Sequence, residues 1–206
     1  MNVKDKNTEQ AILEAAEREF LEKGFDASKT TQIASRAGVT HAMLHYYHGT
    51  KEKLFNMVFD KKINLLKESI TTLVQNSELP ILERIKIGME SHFDFIAANP
   101  ELPRFVINEL IHKPKRREMI ESVIKKTVPQ LIDRVQQEID REVARGSIHP
   151  IDATVLLLDA ASLNIFMFLA LPLLRMFIIP PGMSEKDFLE MRKKENAEVI
   201  MRRLKK

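Results

Sequence analysis

Ser28-Lys29-Thr30-Thr31-Gln32-Ile33-Ala34-Ser35-Arg36-Ala37-Gly38-Val39-Thr40-His41-Ala42-Met43-Leu44-His45-Tyr46-Tyr47-His48-Gly49-Thr50-Lys51-Glu52-Lys53-Leu54 reads as two short helices around a tight turn. Ser28 or Thr30 offers a hydroxyl to cap the first helix. Ile33, Ala34 and Ala37 give that helix an apolar, small-residue face at helical spacing. Gly38 can enter a left-handed turn without steric cost. Val39 follows as an apolar plug, and Thr40 can cap a second helix that carries Leu44 inward. Two helices crossing steeply over so short a turn need a small residue where they touch, which is the place of Ala34. The pattern is that of a helix-turn-helix.

With Val39 and Leu44 inward, the second helix turns His41, Ala42, Met43, His45 and Tyr46 to solvent. That face holds donors and acceptors for base edges and a short apolar residue able to meet a thymine methyl. Gly49 then breaks the helix, and Thr50 caps the next one with Lys51 in its first turn. A cation there is unfavourable unless an anion lies close, and a phosphate would be held by the same free N–H groups.

Thr30 to Thr40, with Leu44, Tyr47, Thr50 to Leu54 and the upstream Phe20, Gly24 and Phe25, resembles the DNA-binding domain of TetR-family transcriptional regulators. The likeness covers about the first quarter of the chain in one continuous spacing. The departures are Ala42, His45 and His48, where the family usually has Gly, Tyr and Phe; they bear on which bases are read. The resemblance implies phosphate contacts from Lys29, Thr31, Tyr47 and Lys51. It also implies base-facing positions at His41, Ala42, Met43, His45 and Tyr46, with Thr40 at the helix start among the DNA-binding residues.

His41, His45 and His48 are spaced four and three apart, as metal ligands on a helix can be. No cysteine helps them and the helix is expected to fray before His48, so no metal site is expected. Protonating His41 or His45 between about pH 7 and 6 would instead add charge facing DNA.

The 206 residues suit one medium domain or a small one fused to a larger. Hydrophobic content of 44% and charged content of 30% are those of an ordinary soluble globular chain. A net charge of +3 says little about a polyanionic partner, so DNA affinity must rest on where the cations lie. The absence of cysteine excludes thiol chemistry and fits a reducing cytoplasm, and the N-terminus has no apolar signal core.

Elsewhere helical periods dominate. Thr8 to Lys23 is amphipathic through Ile12, Leu13, Ala16 and Phe20, and Gly24 stops it. A long helix from Lys51 to about Asn76 turns Leu54, Val58, Ile63, Leu66, Ile70 and Leu73 inward and links the head to the rest. Helices follow over Pro80–Ala98 and Glu101–His112, then a basic connector at Lys113–Arg117. Arg116 to Arg145 is expected to kink or divide at Pro129. Ile151 to Leu171 is apolar nearly all round and should be buried on most faces. The apolar run from Ala160 to Ile179 holds Asn164, Pro172 and Arg175, which argue for a buried helix and turn over a membrane span. Ser184 with Asp187 starts a last helix to about Leu204.

The fold expected is all-α with about nine helices. Residues 1–50 would form the helix-turn-helix domain and residues 51–206 a larger ligand-binding and dimerisation domain. In resembling proteins a pocket lies among the helices of that body. Apolar Phe93, Phe105 and Phe168 with the polar His92, Asn108, His112 and Asn164 are its candidate lining, although for any single aromatic a place in the core is the better reading. The apolar bias suggests a lipophilic or aromatic effector. In the family the last two helices make a four-helix dimer contact, and a two-fold dimer matches a pseudo-palindromic operator. No phosphate loop, nucleophile elbow or HExxH appears, so neither an enzyme nor a cofactor is expected. The reading is a homodimeric, ligand-responsive DNA-binding regulator, a repressor by preference. The alternatives are an activator responding to a protein partner, or a small-molecule or metal-sensing protein.

Overall fold

The computed structural model describes the backbone of residues 3–75, 79–112 and 114–206. Side chains are described from 7 to 65 and from 79 to 206, except 109–113, 115, 116, 119, 120, 123 and 127. Leu66, Ile70 and Leu73 of the long helix, and the side chain of His112, therefore lie outside the described residues. Among the described residues there are nine helices: α1 (Val3–Ala27), α2 (Thr30–Arg36), α3 (His41–His48), α4 (Lys51–Gln75), α5 (Ile81–Ala98), α6 (Leu102–His112), α7 (Pro114–Ala144), α8 (Ala153–Ile178) and α9 (Glu185–Leu204). The expected all-α class is the observed one. The chain forms two compact units, residues 1–65 and 66–206, and α4 runs across the division as one helix.

In the first unit α1 turns Ile12, Ala16 and Phe20 inward at zero exposure, as their four-residue spacing requires. The ring of Phe55 on α4 meets Phe20 and Phe25 edge-on at 5.2 Å each. Gly24 is where the helical path of α1 breaks, at φ 72° and ψ 177°. Ser28 does not cap α2: its hydroxyl donates to the carbonyls of Glu19 and Gly24. Lys29 occupies the cap position of α2 with no side-chain bond, so the capping hydroxyl expected of Ser28 or Thr30 is absent. The closure of α1 has claimed Ser28 first. Glu19, fully buried, is charge-paired with Lys23 at 2.8 Å and Arg36 at 3.5 Å, which ties α2 to α1.

In the second unit α5 packs against α7, α8 and α9. One apolar cluster joins Ile81 and Met89 to Ile139, Leu156, Ile200 and Leu204; another joins Phe93 and Ile96 to Met167, Phe168 and Phe188. Asp152 caps α8, accepting from the backbone N–H of Thr154 at 2.7 Å and Val155 at 3.2 Å. Those bonds, Val155's foremost, hold its carboxyl below the usual carboxylate range. Ser184 caps α9 through Asp187 as its spacing predicts.

Some expectations are corrected. The α7 helix does not divide at Pro129, and its first turn absorbs most of the presumed basic connector. The α8 helix likewise continues through Pro172 to Ile178 where a turn was expected. Both prolines are exposed, so each ring lies on the solvent side of its helix rather than inside the packing. Nor is α8 buried on most faces: Leu158, Phe166, Leu173, Met176 and Phe177 are between 66% and 82% exposed. An apolar pattern all round a helix says that its faces avoid water, not that this one chain covers them.

Candidate nucleic-acid interface and ligand cavity

The α2 helix ends in a Schellman closure. The N–H of Gly38 donates to Ser35 at 3.1 Å and that of Val39 to Ala34 at 3.0 Å. Gly38 has φ 68°, the left-handed conformation that this closure demands. Ala34, 2% exposed, is the small contact residue under the crossing, and Leu44 of α3 is fully buried. Thr40 caps α3, accepting from the N–H of Met43 at 3.2 Å.

These restraints leave His41, Ala42, Met43, His45 and Tyr46 exposed on one short helix, Tyr46 at 84%. A large bare aromatic thus stands on the same face as two imidazoles. The histidines are ordered. Nε2 of His41 lies 2.9 Å from Thr30 Oγ1 on α2 and 3.1 Å from His45 Nε2. Thr30 thus orients an exposed residue of α3, a role missed in the sequence because the two are eleven positions apart. His48 is different. It closes α3 rather than fraying from it, is 4% exposed, and its Nε2 donates to the Glu9 carbonyl at 3.3 Å. That geometry removes it from the His41–His45 pair.

Lys51 is the first residue of α4. Its ammonium donates to the Asp26 carbonyl at 3.3 Å and lies 4.6 Å from the centre of the Phe25 ring. Thr50 caps α4 by accepting from the Lys53 N–H at 3.2 Å. Lys29 and Thr31 are exposed at the start of α2, and Tyr47 is half-buried with its ring 5.2 Å from that of Tyr46. An ammonium held by ring and carbonyl at a capped helix start provides fixed positive charge for a phosphate oxygen.

The second unit holds a cavity of about 240 Å³ between α5, α7 and α8. Its wall is apolar, with Met89, Leu131, Val135 and Leu156 typical, and its polar members are Arg84, His92 and Glu138. Arg84 and Glu138 form an ion pair, while Nε and Nη1 of Arg84 have no hydrogen-bond partner. Burial pushes His92 below the usual histidine range.

Of the seven lining candidates, His92 is in the wall. Asn164, fully buried, sits behind it, donating to His92 Nδ1 at 3.1 Å and to the Met89 carbonyl at 2.9 Å. Asn196 of α9 continues the chain, donating to Asn164 Oδ1 and to the Leu163 carbonyl, each at 3.0 Å, and accepting from Arg192 at 2.7 Å. Phe93 and Phe168 pack on each other at 5.2 Å inside the second cluster, Phe105 is buried, and Asn108 is exposed; none of the four lines this cavity. Arg84 was legible in principle. Ile81, Arg84, Ile85, Gly88, Met89 and His92 fall at three- and four-residue steps, a single stripe on α5. Val128, Leu131, Val135 and Glu138 make a like stripe on α7, but nothing in the sequence pairs Glu138 with Arg84, 54 residues away.

Residues 12–58 match the family described as bacterial regulatory proteins, tetR family. The chain is 21% identical, over 73% of its length and 68% of the relative's, to the HTH-type transcriptional activator FasR of Mycolicibacterium smegmatis. Two other relatives are matched over 53% and 55% of their own length, so the chain spans about half of each. Among solved structures, a Clostridium perfringens protein described as a candidate fatty acid metabolism regulator superposes with TM-score 0.70 at 23% identity, covering 93% of this chain and 97% of that one. AibR in complex with isovaleryl coenzyme A and operator DNA superposes with TM-score 0.63 at 20% identity, covering 94% and 96%. At these identities the superpositions establish the shared fold.

Proposed function

We infer, for a chain that belongs to the TetR family of bacterial regulatory proteins, the work of a ligand-responsive transcriptional regulator that represses from a pseudo-palindromic operator as a homodimer. The observation that carries this is the reading face of α3, held by the Schellman turn and the Thr40 cap within the stretch that matches the family. In this reading His41, Ala42, Met43, His45 and Tyr46 meet base edges, with Thr40 at the helix start. Lys29, Thr31, Tyr47 and Lys51 meet phosphates and fix the register. Residues 1–50 serve as the reading head and residues 51–206 as the effector and dimer body, with α4 linking them. The protein works in the cytoplasm, where its DNA lies, and takes a small lipophilic effector in the cavity between α5, α7 and α8.

Dimerisation is assigned to α8 and α9. Val155, Leu158, Phe166, Leu173, Met176 and Phe177 fall within an arc of about 100° on α8. Met191 and Val199 are exposed on α9. A contiguous apolar stripe of that size on a water-borne chain suits a self-complementary contact. The same helix is long and apolar enough to cross a membrane by composition, and 28% of its most apolar window is buried. The charged α9 that packs beside it, paired through Arg203 and Asp159, favours the dimer.

The test is fluorescence anisotropy with DNA from upstream of the protein's own gene against scrambled DNA across a salt series. Selective binding that falls steeply with salt supports the reading; equal affinity for both at every salt removes it. Activation is the second reading, favoured by the relative FasR, which is named an activator. A reporter that falls on deleting the gene, rather than rises, would select it.

A further inference from the structure

The buried asparagines behind the cavity determine what its histidine can offer a ligand. An amide side chain has a donor end and an acceptor end, and its orientation follows from what surrounds it. Here three fixed groups settle the matter. The Met89 carbonyl only accepts, so Asn164 must present its NH₂ there; the Leu163 carbonyl imposes the same on Asn196. The Arg192 guanidinium only donates, so Asn196 Oδ1 must face it. Turning either amide would set two acceptors or two donors together. With Asn164 so fixed, its NH₂ also faces Nδ1 of His92 at 3.1 Å. Nδ1 must therefore be the unprotonated nitrogen, and the ring's proton sits on Nε2. An imidazolium would bring an Nδ1–H against that NH₂.

We propose that His92, locked as its Nε2–H tautomer by Asn164, is a hydrogen-bond donor in the cavity wall for a lipophilic ligand bearing an acyl carbonyl oxygen. The proposal rests on the reading of this cavity as the effector site. Its physical content is a match of chemistries. The wall is apolar, so the ligand's bulk is hydrocarbon. The ring's remaining polar atom donates and cannot accept, so the ligand's polar atom must accept. At about 240 Å³ the cavity has room for a small lipophilic ligand such as a medium-length acyl chain. Arg84 and Glu138, the other polar residues of the wall, form an ion pair with each other, and Nε and Nη1 of Arg84 are buried. Asn164 is a positioning residue: it acts on the ligand through His92. The same relay of amides ends on Asn196 and Arg192 of α9.

Nitrogen NMR of the full chain carrying ¹⁵N-histidine and ¹³C-methyl methionine tests this. Without ligand, His92 should show the Nε2–H pattern, and Asn164→Ala should give a mixture of tautomers. An Nδ1–H pattern in the parent overturns the proposal. Methyl octanoate and an n-alkane of equal heavy-atom count are then titrated. The Met89 methyl, in the wall, reports occupancy; the His92 Nε2 signal reports the hydrogen bond. Both probes should move Met89, only the ester should move Nε2, and the ester should bind about three- to tenfold tighter. That advantage should vanish in His92→Phe. If both probes move Met89 but bind alike and leave Nε2 unmoved, the donor role fails while the cavity reading stands. If neither moves Met89, the cavity reading fails and takes the proposal with it. Octanoate in place of the ester identifies the source of the oxygen: tighter binding assigns a free carboxylate reaching Arg84, weaker binding an ester or thioester.

Discussion

Gly38 shows what a single residue contributes to the head. At φ 68° it supplies the left-handed step on which the closure of α2 depends, and a methyl built there meets no neighbour within 4 Å. Gly38→Ala therefore isolates backbone strain from steric clash. It should cost about 1 kcal/mol, the penalty of an L-residue in that region, read as a lower urea midpoint beside Ser35→Ala as a helical control. A midpoint equal to the control would mean that the turn relaxes freely. His92 makes the opposite case, a residue whose chemistry is set by burial. Its pKa is below the ordinary 6.5 when folded, so the unfolded chain takes up the proton first. Stability is then full above about 6.5 and declines as pH falls from there to the lower folded value. His92→Gln should flatten that decline between pH 7 and 5 in denaturant titrations. An unchanged slope would put the acid sensitivity elsewhere. Turn chemistry was legible at this scale, because Gly38 and Thr40 act on their own neighbours. The use of Ser28 was not, because the same hydroxyl could serve α2 or the end of α1, and only packing decides.

Among the elements, the proposed function gives α3 and the start of α4 different parts of recognition, and substitutions should separate them. Lys51→Ala removes a charge from a helix start, so operator and scrambled DNA should both weaken, and the salt slope should flatten by about one. Met43→Ala touches only the exposed face, so it should change which operator sequence is preferred and leave the slope alone. Both are read from anisotropy titrations over a panel of operator variants, and a uniform loss from Met43→Ala would remove it from base reading. Helix periods were legible throughout because each side chain's neighbours at three and four positions lie in the same stretch of sequence. The cavity was legible along α5, where the stripe from Ile81 to His92 can be counted off. It was not legible across helices: nothing local announces that Glu138 meets Arg84 or that Asn196 meets Asn164. Phe93 and Phe168 mark the limit of composition, since apolar bulk suits a core as well as a pocket.

For the whole molecule the apolar stripe of α8 is the decisive surface. Sequence periodicity sees that the helix avoids water, and the fold shows that one chain leaves Leu158, Phe166 and Phe177 bare. A second copy resolves that tension if the stripe is self-complementary, because two-fold symmetry brings each apolar side chain against the same surface on the partner. Leu158→Glu would place two carboxylates on such a face in every dimer, one from each chain, and like charges desolvated together repel. Sedimentation equilibrium should then show a monomer where the parent is a dimer, with the helical circular dichroism of the monomer retained, since Leu158 is 66% exposed within its own chain. Operator affinity should fall by far more than any single phosphate contact is worth. A monomer has one head, and losing the second removes the effective concentration that couples two half-sites. The competing outcome is clear: a variant that stays dimeric and binds operator normally would move the interface off α8 and leave its bare apolar face without an occupant.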